Sequence, residues 1–311
     1  MQRFLRRTCR LPRAPMRALL LALACAILAP GAARAANTLR VGAKNFTEQY
    51  VLAEITAEYL RTKGYGIDVR AGLGSTLMRS AQQNGQLDIV WEYTGTAALV
   101  YLKIPDAVKL DAPALYEKVR QLDARNGLAW LDASRLNNTY ALGVPRQVAQ
   151  EWQVRTISQL FAKLRAEPHG KHVFAMDAEF ANRPDGLRPL GAAYGMQFDR
   201  ADIKQMDPGL VYTALHNNQV TVGLIYTTDG RVRGFNIVPL EDDRHYFPNY
   251  NATPVVRREV LDRNPALAGQ LNALSAALDN DAMLDMNKQV DIDGRSVHDV
   301  AADFLRTHRL P

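Results

Sequence analysis

The apolar positions of this chain follow two periods in turn, alternation and helical spacing, which predicts strands interleaved with helices. Leu39 and Val41 alternate with polar residues before Gly42, whereas residues 50–63 carry apolar side chains three and four apart and stop at Gly64. The predicted elements are, in order, a strand at 39–42, a helix at 50–63, a strand at 67–70, a helix from 74 to about 85, and a strand at 87–91. This β-α-β-α-β order predicts an α/β layer with a mainly parallel sheet.

A second stretch of the same kind follows from residue 140. Its predicted elements are a strand at 140–144, a helix at 157–166, a strand at 171–175, a polar loop at 177–188, a helix at 210–217 and a strand at 220–226. The C-terminal part is predicted to be helical, with leucines at 267, 271, 274 and 278 and with Ser296 capping a final helix.

No low-complexity linker separates the two stretches, so we predict two lobes with the chain crossing between them. The first lobe is predicted to comprise residues 36–143 and 245–311, and the second residues 144–244. Ligands of open α/β sheets bind beyond the carboxyl ends of the strands, so we expect a ligand site at those ends.

The first 35 residues have the pattern of a cleavable signal peptide. Seven arginines accompany an apolar run, Ala18 to Ala29, that is short for a membrane span, and Ala33-Arg34-Ala35 fits the small-x-small cleavage pattern. We therefore predict export to the periplasm, the alternative being an uncleaved anchor. Cys25 lies inside the apolar run, which argues against lipidation.

Removal of this leader changes the charge and the cysteine count. The 38 basic residues fall by the leader's seven to 31, against 32 acidic ones, and both cysteines, Cys9 and Cys25, are lost with it. A mature chain of about 276 residues with a net charge near −1 is large enough for two lobes and needs no disulfide. It offers no clustered basic face for nucleic acid.

The motifs of common enzymes and cofactor sites are not recognisable in this sequence. Gly72-Leu73-Gly74-Ser75 fits neither a nucleophile elbow nor a dinucleotide fingerprint. His169 and His172 lie close together without an obvious third metal ligand. We expect no catalytic residues, no metal and no cofactor.

Four tyrosines stand among glycine, asparagine, aspartate and threonine rather than in apolar stripes. They are Tyr93, Tyr140, Tyr226 and Tyr250. Such rings are placed to face a cleft, and several rings converging on one point make a cage for a soft cation, because each ring face carries negative quadrupole charge. An ordinary packed ring is the alternative for each tyrosine taken alone.

Two basic residues are candidates for an anionic group. Lys44 follows the first strand at the mouth of a βα turn, beside helix N–H groups, although on spacing alone an exposed lysine is the favoured interpretation. Arg183 could bind a carboxylate with two hydrogen bonds or pair with Asp185 at the surface.

Five ordered segments give the mature chain a resemblance to a known family. They are Val41-Gly42-Ala43-Lys44-Asn45-Phe46-Thr47-Glu48-Gln49, Glu92-Tyr93-Thr94-Gly95-Thr96, Asn138-Thr139-Tyr140-Ala141-Leu142, Tyr226-Thr227-Thr228-Asp229-Gly230-Arg231 and Phe247-Pro248-Asn249-Tyr250-Asn251-Ala252-Thr253-Pro254. In these segments the chain resembles the substrate-binding proteins of ABC importers for glycine betaine, choline and related quaternary amines. Within the family it looks most similar to the osmotically regulated periplasmic branch.

The resemblance implies a bilobal type II periplasmic binding fold with the ligand in a cleft between the two lobes. It also implies that the protein delivers this ligand to an ABC permease and its ATPase. It implies that Tyr93, Tyr140, Tyr226 and Tyr250 form the cage. Lys44, Thr96 and Arg183 are implied as the partners of a ligand carboxylate. The position two residues before Tyr140, often an acid in this family, is Asn138 here, so we expect modest rather than tight binding.

The nature of the ligand follows from elementary chemistry. A quaternary ammonium has no N–H, so only aromatic faces and negative charges can favour it over water. Glycine betaine also has a carboxylate for Lys44 and Arg183, whereas choline would leave both unpaired, so betaine is preferred. The alternatives are a receptor for choline, carnitine or another cationic solute, a receptor acting only as a sensor, and a secreted α/β hydrolase. We expect a monomer.

Overall fold

The computed structural model describes residues 38–167 and 172–311. The predicted leader at 1–35, both cysteines and His169 lie outside these ranges. The strands are β1 Thr38–Lys44, β2 Gly66–Leu73, β3 Ile89–Tyr93, β4 Leu128–Trp130, β5 Tyr140–Pro145, β6 Phe174–Met176, β7 Ile203–Gln205, β8 Val222–Tyr226, β9 Ile237–Pro239 and β10 Ala252–Arg257.

Helices alternate with these strands along the chain. They are α1 Thr47–Thr62, α2 Ser75–Gln83, α3 Thr94–Thr96, α4 Ala112–Asp123, α5 Arg146–Trp152, α6 Ile157–Ala166, α7 Ala178–Asn182, α8 Leu187–Tyr194, α9 Pro208–His216, α10 Arg231–Gly234, α11 Arg258–Arg263, α12 Leu267–Ala277, α13 Asn280–Asp291 and α14 Val297–His308. A π-helical turn, Ala97–Tyr101, continues α3. In the described ranges 38–167 and 172–311, no helix is both long and apolar enough to cross a membrane.

The first sheet has the strand order β2-β1-β3-β10-β4. The pairs β1–β2 and β1–β3 are parallel, as predicted. The prediction of a mainly parallel sheet is wrong for the rest, because β10 pairs antiparallel with both β3 and β4. This strand enters the sheet only after the chain has passed through the second sheet, so its direction is not set by the βαβ repeat.

The second sheet, in the order β7-β6-β8-β5-β9, is also mixed. β6 is parallel to β7 and β8, whereas β5 is antiparallel to β8 and β9. In the β5–β8 pair, Tyr140 lies directly opposite Tyr226. Pairing in register therefore brings two of the predicted cage residues side by side.

Each sheet is covered by helices whose apolar faces close a separate core. In the first lobe, Leu52 and Ile55 of α1 pack with Phe304 of the C-terminal helix α14. In the second lobe, Phe161 of α6 packs with Phe174 of β6. Since each core needs only its own sheet and helices, two lobes are the natural packing unit.

The chain crosses between the sheets in two segments, 131–139 and 240–251. The predicted lobe boundary at 143/144 falls inside β5 and that at 244/245 falls inside the second crossing. The two crossings lie side by side, with Asn137 paired to Asn251, a geometry suited to hinge closure.

The polar stretch 177–188 is not the loop that its composition predicts. Asp177 accepts a hydrogen bond from the backbone N–H of Phe180 and starts α7, and α8 begins at Leu187. A capping aspartate accepts a hydrogen bond from the free backbone N–H groups in the first turn of a helix, so polar residues are compatible with a short helix there. The strand predicted at 171–175 begins at Phe174, and residues 168–171 lie outside the described chain.

Candidate ligand-binding site

A small cavity lies where strands of both sheets end. Lys44 closes β1, Tyr93 closes β3 and Tyr226 closes β8, while Asp177 directly follows β6. The cavity is lined by Lys44, Asn45, Phe46, Ser75, Tyr93, Thr96, Asn138, Tyr140, Asp177, Glu179, Tyr226 and Tyr250. Seven of the eight residues predicted for the site are in this wall, and Arg183 is not.

Three of the four predicted tyrosines form a continuous aromatic wall. The ring centroid of Tyr140 lies 5.4 Å from that of Tyr226 and 5.2 Å from that of Tyr250, the latter pair edge to face. Tyr250, only 2% exposed, is held from behind by Gly95, where a Cβ would approach the ring to 2.6 Å. A glycine is required at that position because the ring occupies the space of a side chain.

Phe46 connects the fourth tyrosine to this wall and was not identified from the sequence. Its ring centroid lies 5.0 Å from that of Tyr226 and 6.2 Å from that of Tyr93. Phe46 stands between Asn45 and Thr47, so the criterion that selected the tyrosines, an aromatic ring in a polar turn, would have selected it had it been applied to phenylalanine.

The rings of the wall remain neutral. Burial raises the pKa of the Tyr93, Tyr140, Tyr226 and Tyr250 phenols above its ordinary value. The phenols therefore stay protonated at physiological pH, and the wall presents ring faces rather than phenolate charges.

Lys44 is buried and already has a counter-ion. Its Nζ donates to Glu92 Oε1 at 2.6 Å and lies 5.1 Å from the Tyr93 ring centroid. The expectation of an exposed lysine is therefore wrong: Lys44 is 4% exposed, because the βα turn places it between the sheet and the cleft. Thr96, on α3 just after β3, lines the same side of the cavity.

Arg183 lies behind the aromatic wall instead of within it. It binds both carboxylate oxygens of Asp185, at 2.8 and 2.6 Å, and Nη1 donates to the Tyr140 hydroxyl at 2.9 Å. Of the two predicted alternatives, pairing with Asp185 is the one present, although the pair is buried and not at the surface. In this geometry Arg183 fixes the Tyr140 ring.

The site has more acidic than basic groups, which the sequence reading did not identify. Asp177 and Glu179, both from the second lobe, line the cavity, and Glu48 lies buried behind Tyr93 and Asn138. Burial raises the pKa of the Asp177 carboxyl, and the neighbouring Glu179 adds to the rise. These carboxylates lie on α1 and α7, far from the tyrosines in sequence, so only the fold brings them together.

Glu179 bridges the two lobes. Its Oε2 accepts a hydrogen bond from the backbone N–H of Ser75, the first residue of α2, at 2.9 Å. Burial alone would raise the pKa of the Glu179 carboxyl, but the Lys44 ammonium and the Ser75 N–H hold it below its usual range. With this bridge formed, the cavity volume is about 30 Å³, room for only one or two water molecules.

One group of side chains in the described chain has metal-ligand spacing, and it is remote from the cavity. Glu54, Glu58 and His298 bring three potential ligand atoms within 4.8 Å of one another on the outer face of α1 and α14. Arg61 pairs with Glu58 at 2.5 Å, so these carboxylates already have a cation.

Known proteins resemble this chain over almost its whole length. The family model described as the substrate binding domain of the ABC-type glycine betaine transport system matches residues 37–307. A glycine-betaine-binding protein of Pseudomonas aeruginosa is 52% identical over 294 residues, 93% of this chain and 94% of the relative. A glycine betaine-binding protein of Escherichia coli is 31% identical over 280 residues, 88% of this chain and 91% of the relative.

Solved structures agree with these relatives. The crystal structure of a glycine betaine/carnitine/choline ABC transporter protein superposes with a TM-score of 0.65 at 28% identity, covering 87% of this chain and 98% of the other. The predicted bilobal α/β periplasmic binding fold and the predicted family resemblance are both confirmed. Members of this family are the extracytoplasmic substrate-binding components of ABC importers. The chain belongs to the family of substrate-binding domains of ABC-type glycine betaine transport systems.

Proposed function

We propose that this protein is the periplasmic receptor of an ABC importer and binds glycine betaine or a closely related quaternary-ammonium solute. The observation that carries the proposal is the convergence of Tyr93, Tyr140, Tyr226 and Tyr250 with Phe46 on one enclosed cavity between the lobes. The relatives in Pseudomonas aeruginosa and Escherichia coli, both glycine-betaine-binding proteins, support the same ligand class.

The cation end of the ligand is assigned to the aromatic wall. A trimethylammonium group has no N–H to donate, so aromatic faces must recognise it, and each well-placed ring face contributes roughly 0.5–2 kcal/mol. The buried carboxylates Asp177 and Glu179 add negative potential on the same cavity. The chemistry of the wall therefore fits a cation without N–H donors.

The carboxylate end is assigned to Lys44 and Thr96, with Ser75 N–H at the start of α2 as a further donor. Helix N-termini and lysines both favour anions. Two of these donors are occupied within the protein, Lys44 by Glu92 and Ser75 by Glu179. A ligand carboxylate reaches them by displacing Glu179 as the lobes separate and close again. Arg183 acts indirectly, through its hydrogen bond to Tyr140.

Choline is a second candidate, favoured by one specific observation. Because Lys44 is already neutralised by Glu92 at 2.6 Å, a ligand without a carboxylate leaves no unpaired basic group in the cavity wall of the described residues. Choline was disfavoured from the sequence because it would leave Lys44 and Arg183 unpaired, but Arg183 is also paired, with Asp185.

Export and delivery complete the proposal. Cleavage of the predicted signal peptide after Ala35 would release a monomeric mature chain into the periplasm, where it delivers its ligand to the permease and ATPase subunits of the importer. The protein acts stoichiometrically and has no enzymatic turnover, in contrast to the hydrolase alternative.

Titration calorimetry of the purified protein with glycine betaine, choline and carnitine tests the proposal. We expect binding of one molecule per chain with at least one of the three, and recovery of the unchanged ligand afterwards. No heat with any of them at millimolar ligand would overturn the cage assignment. Recovery of a converted ligand would instead favour the hydrolase.

A further inference from the structure

Glu48 is a buried carboxylate with three hydrogen-bond donors around it. Oε1 accepts from the Tyr93 hydroxyl at 2.7 Å and from Asn138 Nδ2 at 3.0 Å, and Oε2 accepts from the Thr228 hydroxyl at 2.5 Å. The residue is 2% exposed and is not in the cavity wall. Its partners, in contrast, include two residues of that wall.

The carboxylate fixes the orientation of the Asn138 amide. Were the amide turned over, Oδ1 would face a carboxylate oxygen, which is repulsive, so Nδ2 must point to Glu48. Asn138 lines the cavity, is 6% exposed, and its Oδ1 is buried with no hydrogen-bond partner among the described residues. A buried acceptor without a partner is costly, unless a ligand supplies positive charge to it.

The helix position and the hydrogen bonds of Glu48 stabilise its carboxylate against burial. It lies in the first turn of the 16-residue helix α1, where the helix dipole stabilises negative charge. Burial, with nearby Asp229, raises the pKa of the Glu48 carboxyl above its ordinary value, and the hydrogen bonds from Thr228, Tyr93 and Asn138 limit that rise. Three donors around one carboxylate match an acceptor-only group better than a carboxylic acid.

We propose that Glu48 is the positioning residue that makes this site select a positive charge. Its carboxylate turns the Asn138 amide so that the electronegative Oδ1 is the atom presented to the ligand, and it adds its own charge from behind. The missing acid at position 138 is thereby supplied from α1. This inference rests on the proposed function and names the origin of its charge selectivity.

The test compares two ligands that differ only in charge at one atom. Glycine betaine and 3,3-dimethylbutanoate have the same shape and the same carboxylate, but carbon replaces nitrogen in the second. The ratio of their dissociation constants reports how strongly the site selects the cation, a readout that a purely structural residue would leave unchanged.

We expect Glu48→Gln, which keeps the side-chain shape, to reduce that ratio by about tenfold, the order expected for one charge several ångströms away in a partly screened site. The double variant E48Q/N138D returns one carboxylate to the cluster, within reach of the amide introduced at position 48, and we expect it to restore the ratio. Glu117→Gln removes an exposed acid of α4 and serves as the control, with an unchanged ratio.

The outcomes separate the inference from the proposed function. If the wild-type protein binds neither of these ligands, and neither choline nor carnitine, the proposed function fails. If wild type and E48Q prefer betaine over 3,3-dimethylbutanoate by the same ratio of dissociation constants, the assignment to Glu48 is overturned. A double variant that does not restore the wild-type ratio overturns it as well. Should E48Q not fold, Asn138→Leu removes the oriented Oδ1 with Glu48 in place, and an unchanged ratio there overturns the proposal as well.

Discussion

At the scale of single residues, the sequence predicted the aromatic part of the site better than the charged part. A tyrosine beside Gly, Asn or Asp signals a cleft because such neighbours form turns, and all four tyrosines line the cavity. The carboxylates could not be predicted in the same way. In the sequence, Glu48, Asp177 and Glu179 look like ordinary acids at the starts of helices. Only the packing of α1 and α7 against elements distant in the sequence brings them together near the cavity.

Tyr226 allows the ring face and the hydroxyl to be tested separately. Its hydroxyl lies 3.5 Å from Asp177 Oδ2, a distance at which little hydrogen-bond energy is expected. We expect Tyr226→Ala to weaken betaine binding by more than about 1 kcal/mol and Tyr226→Phe to change it little, because the ring face is kept. Calorimetric titration measures both, and a large effect of the Phe variant would indicate a phenol hydrogen bond to the ligand instead.

A buried ion pair in the first lobe gives a prediction for pH. Asp123 accepts from Arg79, from Trp130 Nε1 at 2.7 Å and from Asn126. Burial would raise the pKa of the Asp123 carboxyl, but Arg79 and the other donors hold it below its ordinary value. The carboxylate therefore stabilises the fold above the unfolded-state pKa of about 3.9, and this contribution is lost as the pH falls through the lower folded pKa.

We expect Asp123→Asn to lower the free energy of unfolding by about 3 kcal/mol at pH 7, because Arg79 loses its buried counter-ion. The difference from wild type should narrow as the pH falls below the unfolded-state pKa of about 3.9 toward the lower folded pKa. Urea denaturation at several pH values measures it. Glu117→Gln, at an exposed pair with Arg120, is the control and should not measurably change the free energy of unfolding. A D123N-to-wild-type difference in that free energy that stayed constant with pH would contradict the prediction.

At the scale of elements, long amphipathic helices and buried strands were predicted well, and short polar elements were not. The helix predicted at 50–63 is α1, Thr47–Thr62, and the leucine series at 267–278 is α12 with its following residue. The three-residue strands β4, β7 and β9 have too few positions for a period to be recognised. The composition of α7 predicts a loop, because its capping aspartate and its length of five residues resemble a polar turn.

The short helix α3 positions the Tyr250 ring of the proposed cage through Gly95. A Cβ there would lie 2.6 Å from Tyr250 Cε1 and 2.9 Å from the Asn249 carbonyl oxygen, so Gly95→Ala must push the ring out of place. We expect about tenfold weaker ligand binding, comparable with the loss of one ring face. Titration calorimetry on the folded variant measures it.

Gly269 provides the matched control for this substitution. It lies on helix α12 with no heavy atom within 4 Å of a Cβ placed there. Gly269→Ala should leave binding unchanged and stabilise the helix by about 0.5–1 kcal/mol. Equal effects of the two alanines on affinity would show that Gly95 has no special contact with the cage.

At the scale of the whole molecule, the two-lobe α/β architecture was predicted from the order of elements, but the strand directions were not. β10 brings the chain back into the first sheet antiparallel to β3, and nothing in the sequence of Ala252–Arg257 fixes that direction. The predicted lobe boundaries remain a prediction. The crossings at 131–139 and 240–251 are where closing motion is expected.

The bridge from Glu179 to Ser75 N–H gives a test of that motion. Glu179→Ala removes an acceptor that joins the lobes at 2.9 Å, so we expect the ligand-free protein to open and its radius of gyration to increase. Small-angle X-ray scattering with and without betaine measures the change. Glu151→Ala, an exposed acid bonded within α5, is the control, and equal scattering from both variants would show that Glu179 does not hold the lobes together.

The small volume of the cavity has a consequence for the rate of ligand capture. A space of about 30 Å³ cannot admit betaine, so every binding event must wait for the lobes to part. The apparent dissociation constant is then the intrinsic one divided by the open fraction, and the association rate cannot exceed the rate of opening. A receptor of this kind captures its solute more slowly and more weakly than the same site would in a cleft that was always open.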